Sequence, residues 1–378
     1  MSGLNEEQVM LRDAAKAWVD DKSPVAALRR LRDQGSQTGF DPAAWREMGE
    51  MGWTGVVIPE AYGGSEFGYR SLGLILEETG RTLTASPLLS TALIAASALN
   101  LGGTAAQKEA WLPKIAAAEI VAGLAVDEHP HHDPARTALA ATREGDGFRL
   151  DGAKTFVAEG LAADLLIVAA RTSGEPGEAS GLTLFLVEGA ADGLVRRRLQ
   201  LIDSRGAADL AFTGVRVPAE AVLGEVDRGF DLLETVLDRA RAGLAAEMIG
   251  TATQAFETTL DYLKNRTQFG QAIGAFQALQ HRAAKMFTEI EMARSCVYAA
   301  LDAIDANAND VRALASLAKA KACDTLHLVS NEMVQMHGGI GMTDAHDAGL
   351  YLKRARVAEA LYGSASWHRD RYATLLGF

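Results

Sequence analysis

Arg266-Thr267-Gln268-Phe269-Gly270, followed by Phe276-Gln277 and then Gln280-His281, is the stretch that decides how this chain is read. A guanidinium offers a planar fork of donors suited to phosphate oxygens. Gln268 can bond ribose or adenine edges, and Phe269 offers an apolar face. Gln277 lies eleven residues after Arg266, three helical turns, which on a continuous helix puts the two near one face. The bland alternative is an exposed Arg and a core Phe on an ordinary helix. A second segment, Gln335-Met336-His337-Gly338-Gly339-Ile340-Gly341, places three glycines where a helix gives way to a turn. Glycine lets backbone N–H groups approach an anion closely. A plain helix C-cap would use the same residues. Together the two segments favour a grip on a diphosphate.

Outward from these segments, residues 226–378 are helical in pattern. Leu232–Ile249, Thr251–Arg266, Phe276–Ala306, Asp310–His337 and Ala345–Leu376 carry apolar stripes, and helices of this length pack as a bundle. Ala313, Ala315, Ala318, Ala320 and Ala322 allow close helix approach. Residues 119–225 alternate short β-prone runs with Gly/Asp turns: Val121–Val126, Thr137–Thr142, Phe148–Leu150, Thr155–Val157, Leu165–Ala170, Leu182–Val187, Leu194–Leu199 and Ala211–Val217. Asp146-Gly147 and Asp151-Gly152 read as tight turns, and Ser173–Ser180 as an exposed loop. Residues 1–118 are helical again, with Val9, Ala14 and Trp18 on one stripe and Asp41-Pro42 as a helix start. The expected fold class is therefore α+β multidomain: an N-terminal helical domain (1–118), a middle antiparallel β domain (119–225) and a C-terminal four-helix bundle (226–378).

The bulk numbers bound the function. A chain of 378 residues can bury a large core. Its net charge of −12 argues against wide nucleic-acid or anionic-membrane contact, which rewards basic surfaces. The N-terminal stretch carries acids and no apolar core segment, so no signal peptide is expected, and no run approaches the roughly 18 apolar residues of a membrane span. A cytoplasmic protein is expected. Cys296 and Cys323 fall in helical pattern and read as reduced, buried thiols. His129, His131 and His132 stand beside Pro130 and Pro134, so a solvated loop is favoured over a metal site.

Five stretches, in order along nearly the whole chain, resemble the acyl-CoA dehydrogenase family. They are Gly52-Trp53…Ile58-Pro59-Glu60-Ala61-Tyr62-Gly63-Gly64, then Gly152-Ala153-Lys154-Thr155-Phe156-Val157, then Phe212-Thr213-Gly214-Val215-Arg216-Val217-Pro218 with Gly229-Phe230, and the Arg266 and Gln335 segments. The resemblance implies FAD as cofactor. Arg266, Gln268, Phe269 and Gln277 would grip its ADP end, and Gln335, Gly338 and Gly339 would hold the diphosphate of a neighbouring subunit's FAD. Val126 and Phe156 would lie on the flavin side. It also implies an acyl-CoA substrate, an electron-transfer flavoprotein as acceptor and a homotetramer or a heterotetramer with a sister subunit.

Three positions depart from the family pattern. Where members carry a Thr/Ser-Glu-Pro-Gly-Ala-Gly-Ser-Asp stretch, this chain has Val126-Asp127-Glu128-His129-Pro130-His131-His132-Asp133. Asp127 stands at the hydroxyl position, and a carboxylate beside a flavin that gains negative charge is unfavourable. The family's aromatic–Ile–Ser/Thr triplet is Phe156-Val157-Ala158, without a hydroxyl. The positions where members carry the proton-abstracting Glu are Tyr362, before Gly363-Ser364, and Ala240, before Arg241. Glu247, two helical turns after Ala240 in an apolar run, is the candidate base; the alternative is a Glu paired with an Arg at a packing edge. Arg241 is a candidate substrate-pocket residue or a structural ion-pair partner.

Three functions follow. The first is oxidation of an acyl-CoA thioester to its trans-2-enoyl product. The second is a non-catalytic partner lending its ADP-gripping half to a sister subunit, as in a branch acting on steroid side-chain CoA esters, which Leu361-Tyr362-Gly363-Ser364-Ala365…His368-Arg369 also resembles. The third is a flavin-dependent monooxygenase or a flavin-free scaffold on the same fold.

Overall fold

The computed structural model describes residues 3–378. Its helices are α1 (Glu6–Lys22), α2 (Val25–Asp33), α3 (Pro42–Glu50), α4 (Tyr69–Arg81), α5 (Ala96–Gly102) and α6 (Ala105–Ala116), then, after the strands, α7 (Gly229–Asn265), α8 (Gln277–Asp305), α9 (Val311–His337), α10 (Ala348–Ala360) and α11 (Ala365–Leu375). The strands between them are β1 (Ala122–Ala125), β2 (Ala140–Glu144), β3 (Gly147–Ala158), β4 (Leu165–Arg171), β5 (Leu182–Glu188), β6 (Leu194–Arg198), β7 (Ala207–Pro218) and β8 (Val222–Leu223). The expected order of helical, sheet and helical regions holds. Contacts divide the chain into two compact units: residues up to Arg30 with Gly73–Thr84 and Arg241–Phe378, and Leu31–Leu72 with Ala85–Ala240.

In the first unit, α9 packs against α8, α10 and α11. Ala315, Ala318 and Ala322 are buried on α9, so small side chains let these helices close up. Along α1 the buried stripe is Ala15, Trp18 and Val19, with Ala14 exposed, which shifts the expected stripe by one residue. α7 runs unbroken for 37 residues, although its sequence reads as two helices parting at Gly250. The glycine is there because the α4 backbone touches it: a Cβ on Gly250 would stand 1.7 Å from Glu77 O. The reciprocal glycine, Gly80, faces Glu247 O. The segment expected as one helix over 345–376 is two, α10 and α11, split where Tyr362 and Gly363 take positive φ (56° and 107°).

Glu78 on α4 is buried, and its Oε2 has no hydrogen-bond partner among the described residues; Arg81 Nε is 3.5 Å away. Burial pushes its carboxyl up from 4.5 to about 7, with Arg81 opposing the rise. The folded state therefore holds a proton between pH 4.5 and about 7 that the unfolded state releases, so this group's contribution to stability falls as pH rises through that window. Glu78→Gln is expected to gain about 1–3 kcal/mol above neutrality and no advantage in acid, read from urea unfolding at both ends of the window.

In the second unit, Asp41 caps α3 as expected, its carboxylate accepting from Ala43 N at 2.9 Å ahead of Pro42. The sheet runs β6-β7-β3-β2-β4-β5-β8, with β1 also on β4. It is mixed rather than wholly antiparallel, because β1 and β2 each pair parallel with β4. A parallel pair needs a long crossover, and the β2–β3 excursion between β1 and β4 supplies it. Asp151-Gly152 is not a turn. The register of β3 on β7 shifts between Leu150 and Gly152, a bulge in which Gly152 has φ 145° and the Asp151 carboxylate accepts from Gly214 N at 2.8 Å. Phe148 and Phe185 meet edge to face at 5.1 Å in the core under this sheet.

Candidate functional site

The Arg266 segment is a hairpin. α7 stops at Asn265, and β9 (Thr267–Gln268) pairs with β10 (Gln271–Ala272) across Phe269 and Gly270, whose φ values are 53° and 77°. Positive φ at both central residues is the type I′ pattern, and it strains a non-glycine such as Phe269. The helix break removes the shared-face relation expected for Arg266 and Gln277; the hairpin links them instead, with Ile273 N donating to Arg266 O at 2.8 Å and Gln277 opening α8. Phe269 is 90% exposed, touching Phe276 edge to face at 6.0 Å. Arg266, Gln268 and Gln277 are also exposed. Gln268 Nε2 donates to its neighbour Thr267 O at 3.0 Å. Backbone strain and a bare aromatic therefore meet at one exposed tip.

The Gln335 segment lies beside it in the same unit. α9 ends at His337, and Gly338 takes φ 62° and ψ −137°, a backbone only glycine adopts readily. A Cβ on Gly338 or Gly339 would meet nothing within 4 Å, so space beside both is open. Tyr262, one turn before Arg266, donates to His337 O at 3.3 Å and stacks on the His337 ring at 4.3 Å. His337 donates Nδ1–H to Met333 O at 2.7 Å and stacks on His346 at 4.2 Å; burial keeps its pKa low. The two segments expected to act together are thus tied together by Tyr262 and His337.

In the second unit, the loop after β1 is braced by charged side chains. Val126 is buried, and its carbonyl accepts from Lys154 Nζ at 2.8 Å. Lys154 also donates to Glu128 Oε1 at 2.7 Å; burial lowers its pKa and Glu128 resists the fall. Glu128 accepts from Ala138 N and Leu139 N, both at 2.9 Å. Asp127 O accepts from Thr155 N at 2.7 Å, and its carboxylate is met by His132 Nδ1 at 2.9 and 3.0 Å. His129 and His131 are exposed, as expected of a solvated loop, while His132 departs from that expectation and is buried. Phe156 holds φ 54°, its N–H turned toward Asp209 Oδ1 at 3.4 Å. Among the described residues no cluster of three or more His, Cys, Asp or Glu could hold a metal, and no helix is long and apolar enough to cross a membrane.

Glu247 and Arg241 are both buried in the first unit. The Glu247 carboxylate takes Arg354 Nε at 3.0 Å and its terminal nitrogen at 2.9 Å, the paired arrangement that stood as the alternative to a base. Arg241 reaches Tyr362 O at 3.4 Å and lies over the Trp367 ring at 4.7 Å. Lys319, fully buried on α9, donates to Ala358 O and Gly363 O at 3.0 Å each and to Cys323 Sγ at 3.3 Å. Burial lowers the Lys319 pKa and raises that of Cys323. Lys319, Lys154 and His132 carry no such roles in the sequence reading. Their signal is faint: Lys154 and Lys319 bond carbonyls 28 to 44 residues away, and His132 sits in a polar run where Asp127, five residues off, does not stand out.

Models of the N-terminal, middle and C-terminal domains of acyl-CoA dehydrogenases match residues 5–119, 127–215 and 227–376. The chain belongs to the acyl-CoA dehydrogenase family. These are flavoprotein oxidoreductases. The chain is 31% identical over 377 residues to the mitochondrial isovaleryl-CoA dehydrogenase of Pongo abelii, covering 98% of this chain and 88% of that one. The butyryl-CoA dehydrogenase structure from Megasphaera elsdenii superposes with a TM-score of 0.93 at 27% identity, over 100% of this chain and 99% of that chain. A variant of the Tcur3481-Tcur3483 steroid ACAD superposes with a TM-score of 0.89 at 33% identity, over 98% of each chain.

Proposed function

We propose that this chain is an FAD-dependent acyl-CoA dehydrogenase subunit that takes part in the α,β-dehydrogenation of an acyl-CoA thioester to the trans-2-enoyl product. One observation carries the proposal: the strained, exposed Arg266–Phe269 hairpin stands beside a glycine turn with no neighbour in the way. These residues fit the ADP end of FAD. Arg266 would face the diphosphate, Gly338 and Gly339 leave backbone N–H groups open to it, and Phe269 offers the adenine an apolar face. In the assembly these segments would serve a neighbouring subunit's cofactor. FAD, when bound, accepts the substrate's β hydride, and an electron-transfer flavoprotein would take the electrons onward.

The test is the flavin absorption spectrum of the purified protein, followed anaerobically as acyl-CoAs are added. Bleaching by one class of thioester supports a self-sufficient enzyme, and absence of bleaching by any class overturns it. Arg266→Ala is expected to weaken FAD binding by about 10–100-fold, the worth of a charge-assisted contact. Unchanged affinity in a flavin titration would remove Arg266 from the site.

A second reading is favoured by the geometry around Glu247. Its carboxylate is committed to Arg354, while Tyr362 and Ala240 stand where members carry the base. The Tcur3481-Tcur3483 steroid ACAD pairs two named chains. On this reading the chain is the non-catalytic partner in a heteromeric dehydrogenase. Flavin retained only on coexpression with a sister chain, with turnover lost when the sister's base is removed, decides for it.

A further inference from the structure

We infer that His132 is a positioning residue for the flavin, acting through Asp127. The two side chains form one hydrogen-bonded unit that lets this chain carry a carboxylate where its relatives carry a hydroxyl. The inference rests on the FAD reading above.

A bare carboxylate at that position would oppose the negative charge that reduction brings. The carboxylate here is not bare. His132 Nδ1 lies 2.9 and 3.0 Å from its two oxygens, and the side chains of His132 and Asp127 are only 3% and 19% exposed. An ionised carboxylate only accepts, so Nδ1 carries the proton and the imidazole donates. The backbone on either side is fixed, by Lys154 on Val126 O and by Thr155 N on Asp127 O. The carboxylate therefore cannot swing away by a loop movement, and its direction is set by the imidazole. Both acids of the loop are met by side chains, Glu128 by buried Lys154 and Asp127 by His132, on a segment with none of the glycines its relatives use there. The sequence change at 127 and the histidine at 132 are one replacement, not two losses.

The experiment is a double-mutant cycle read by FAD titration of the full-length apoprotein, coexpressed with a sister chain if the wild type needs one. His132→Ala is expected to weaken FAD binding by about tenfold or more, because it uncovers the carboxylate. Asp127→Ser should bind within about twofold of wild type, and Asp127→Ser/His132→Ala within about twofold of Asp127→Ser, so that the histidine matters only when the acid is present. His132→Asn, which keeps an N–H donor near Nδ1, should recover most of the affinity. Melting of each ligand-free variant confirms that it is folded. Equal losses on removing His132 with and without Asp127 would overturn the inference and leave His132 a structural prop. Should His132→Ala not fold, loss of affinity in the folded His132→Asn variant would overturn it too. A wild-type protein that binds no FAD, alone or with a sister chain, overturns the FAD reading itself, and this inference with it.

Discussion

Alanine at position 247 is expected to lower the unfolding free energy by about 3–5 kcal/mol, the usual cost of stranding one half of a buried ion pair. The Glu247 and Arg354 side chains are 5% and 4% exposed, and one carboxylate oxygen receives both arginine nitrogens. Removing the acid takes the carboxylate from a buried guanidinium. The measurement is urea unfolding, with an unchanged m-value showing that only stability has moved. Glu247→Gln keeps an acceptor but not the charge and should fall between wild type and alanine. Glu247→Met with Arg354→Met removes both charges and should recover most of the loss, since apolar replacements of whole buried pairs are often neutral. A base would behave differently. If Glu247→Ala unfolds like wild type yet abolishes thioester oxidation, the carboxylate's work is chemical and the partner-subunit reading loses its main support.

The difference between those outcomes marks what the sequence could say. Arg266–Phe269 and Gly338–Gly339 stand out in the sequence as contiguous segments, and the hairpin and the helix end in which they fold keep contiguous residues together. The helix start at Asp41-Pro42 and the span of α9 were legible for the same local reason. Glu247 was ambiguous because its partner is 107 residues away, and nothing near it in sequence distinguishes a desolvated base from half of an ion pair. His132 read as loop polarity although Asp127 is five residues off, since only the folded path of the loop turns the imidazole inward. Asp151-Gly152 has the composition of a turn, yet β7 on one side holds it in the sheet as a bulge. Gly250 has the composition of a helix end, yet α7 passes through it. In both, packing against a distant element overrides the local preference.

Gly250→Ala is expected to destabilise the protein by about 3 kcal/mol or more, against a helix propensity that by itself favours alanine by about 1 kcal/mol. The added Cβ would meet Glu77 O at 1.7 Å and Glu77 Cα at 3.0 Å, so backbone, not a mobile side chain, must yield. The opposing contact is nearly as tight, with a Gly80 Cβ 2.1 Å from Glu247 O, and Thr251 Oγ1 lies 3.0 Å from both Gly80 O and Glu247 O, which share its one hydrogen. Separating α4 from α7 therefore strains every bond at the crossing. It also displaces Glu77, which accepts from Arg294 Nε at 3.1 Å and Tyr298 Oη at 2.7 Å. Gly349→Ala is the control. It lies in the first turn of α10, where a Cβ meets nothing within 4 Å, and should be neutral or stabilising by up to about 1 kcal/mol. Opposite signs at 250 and 349 in urea unfolding would show that the first glycine is kept for the approach of two helices. Equal signs would mean that α4 can move away from α7 at little cost, and that Glu247 does not depend on this crossing for its place beside Arg354.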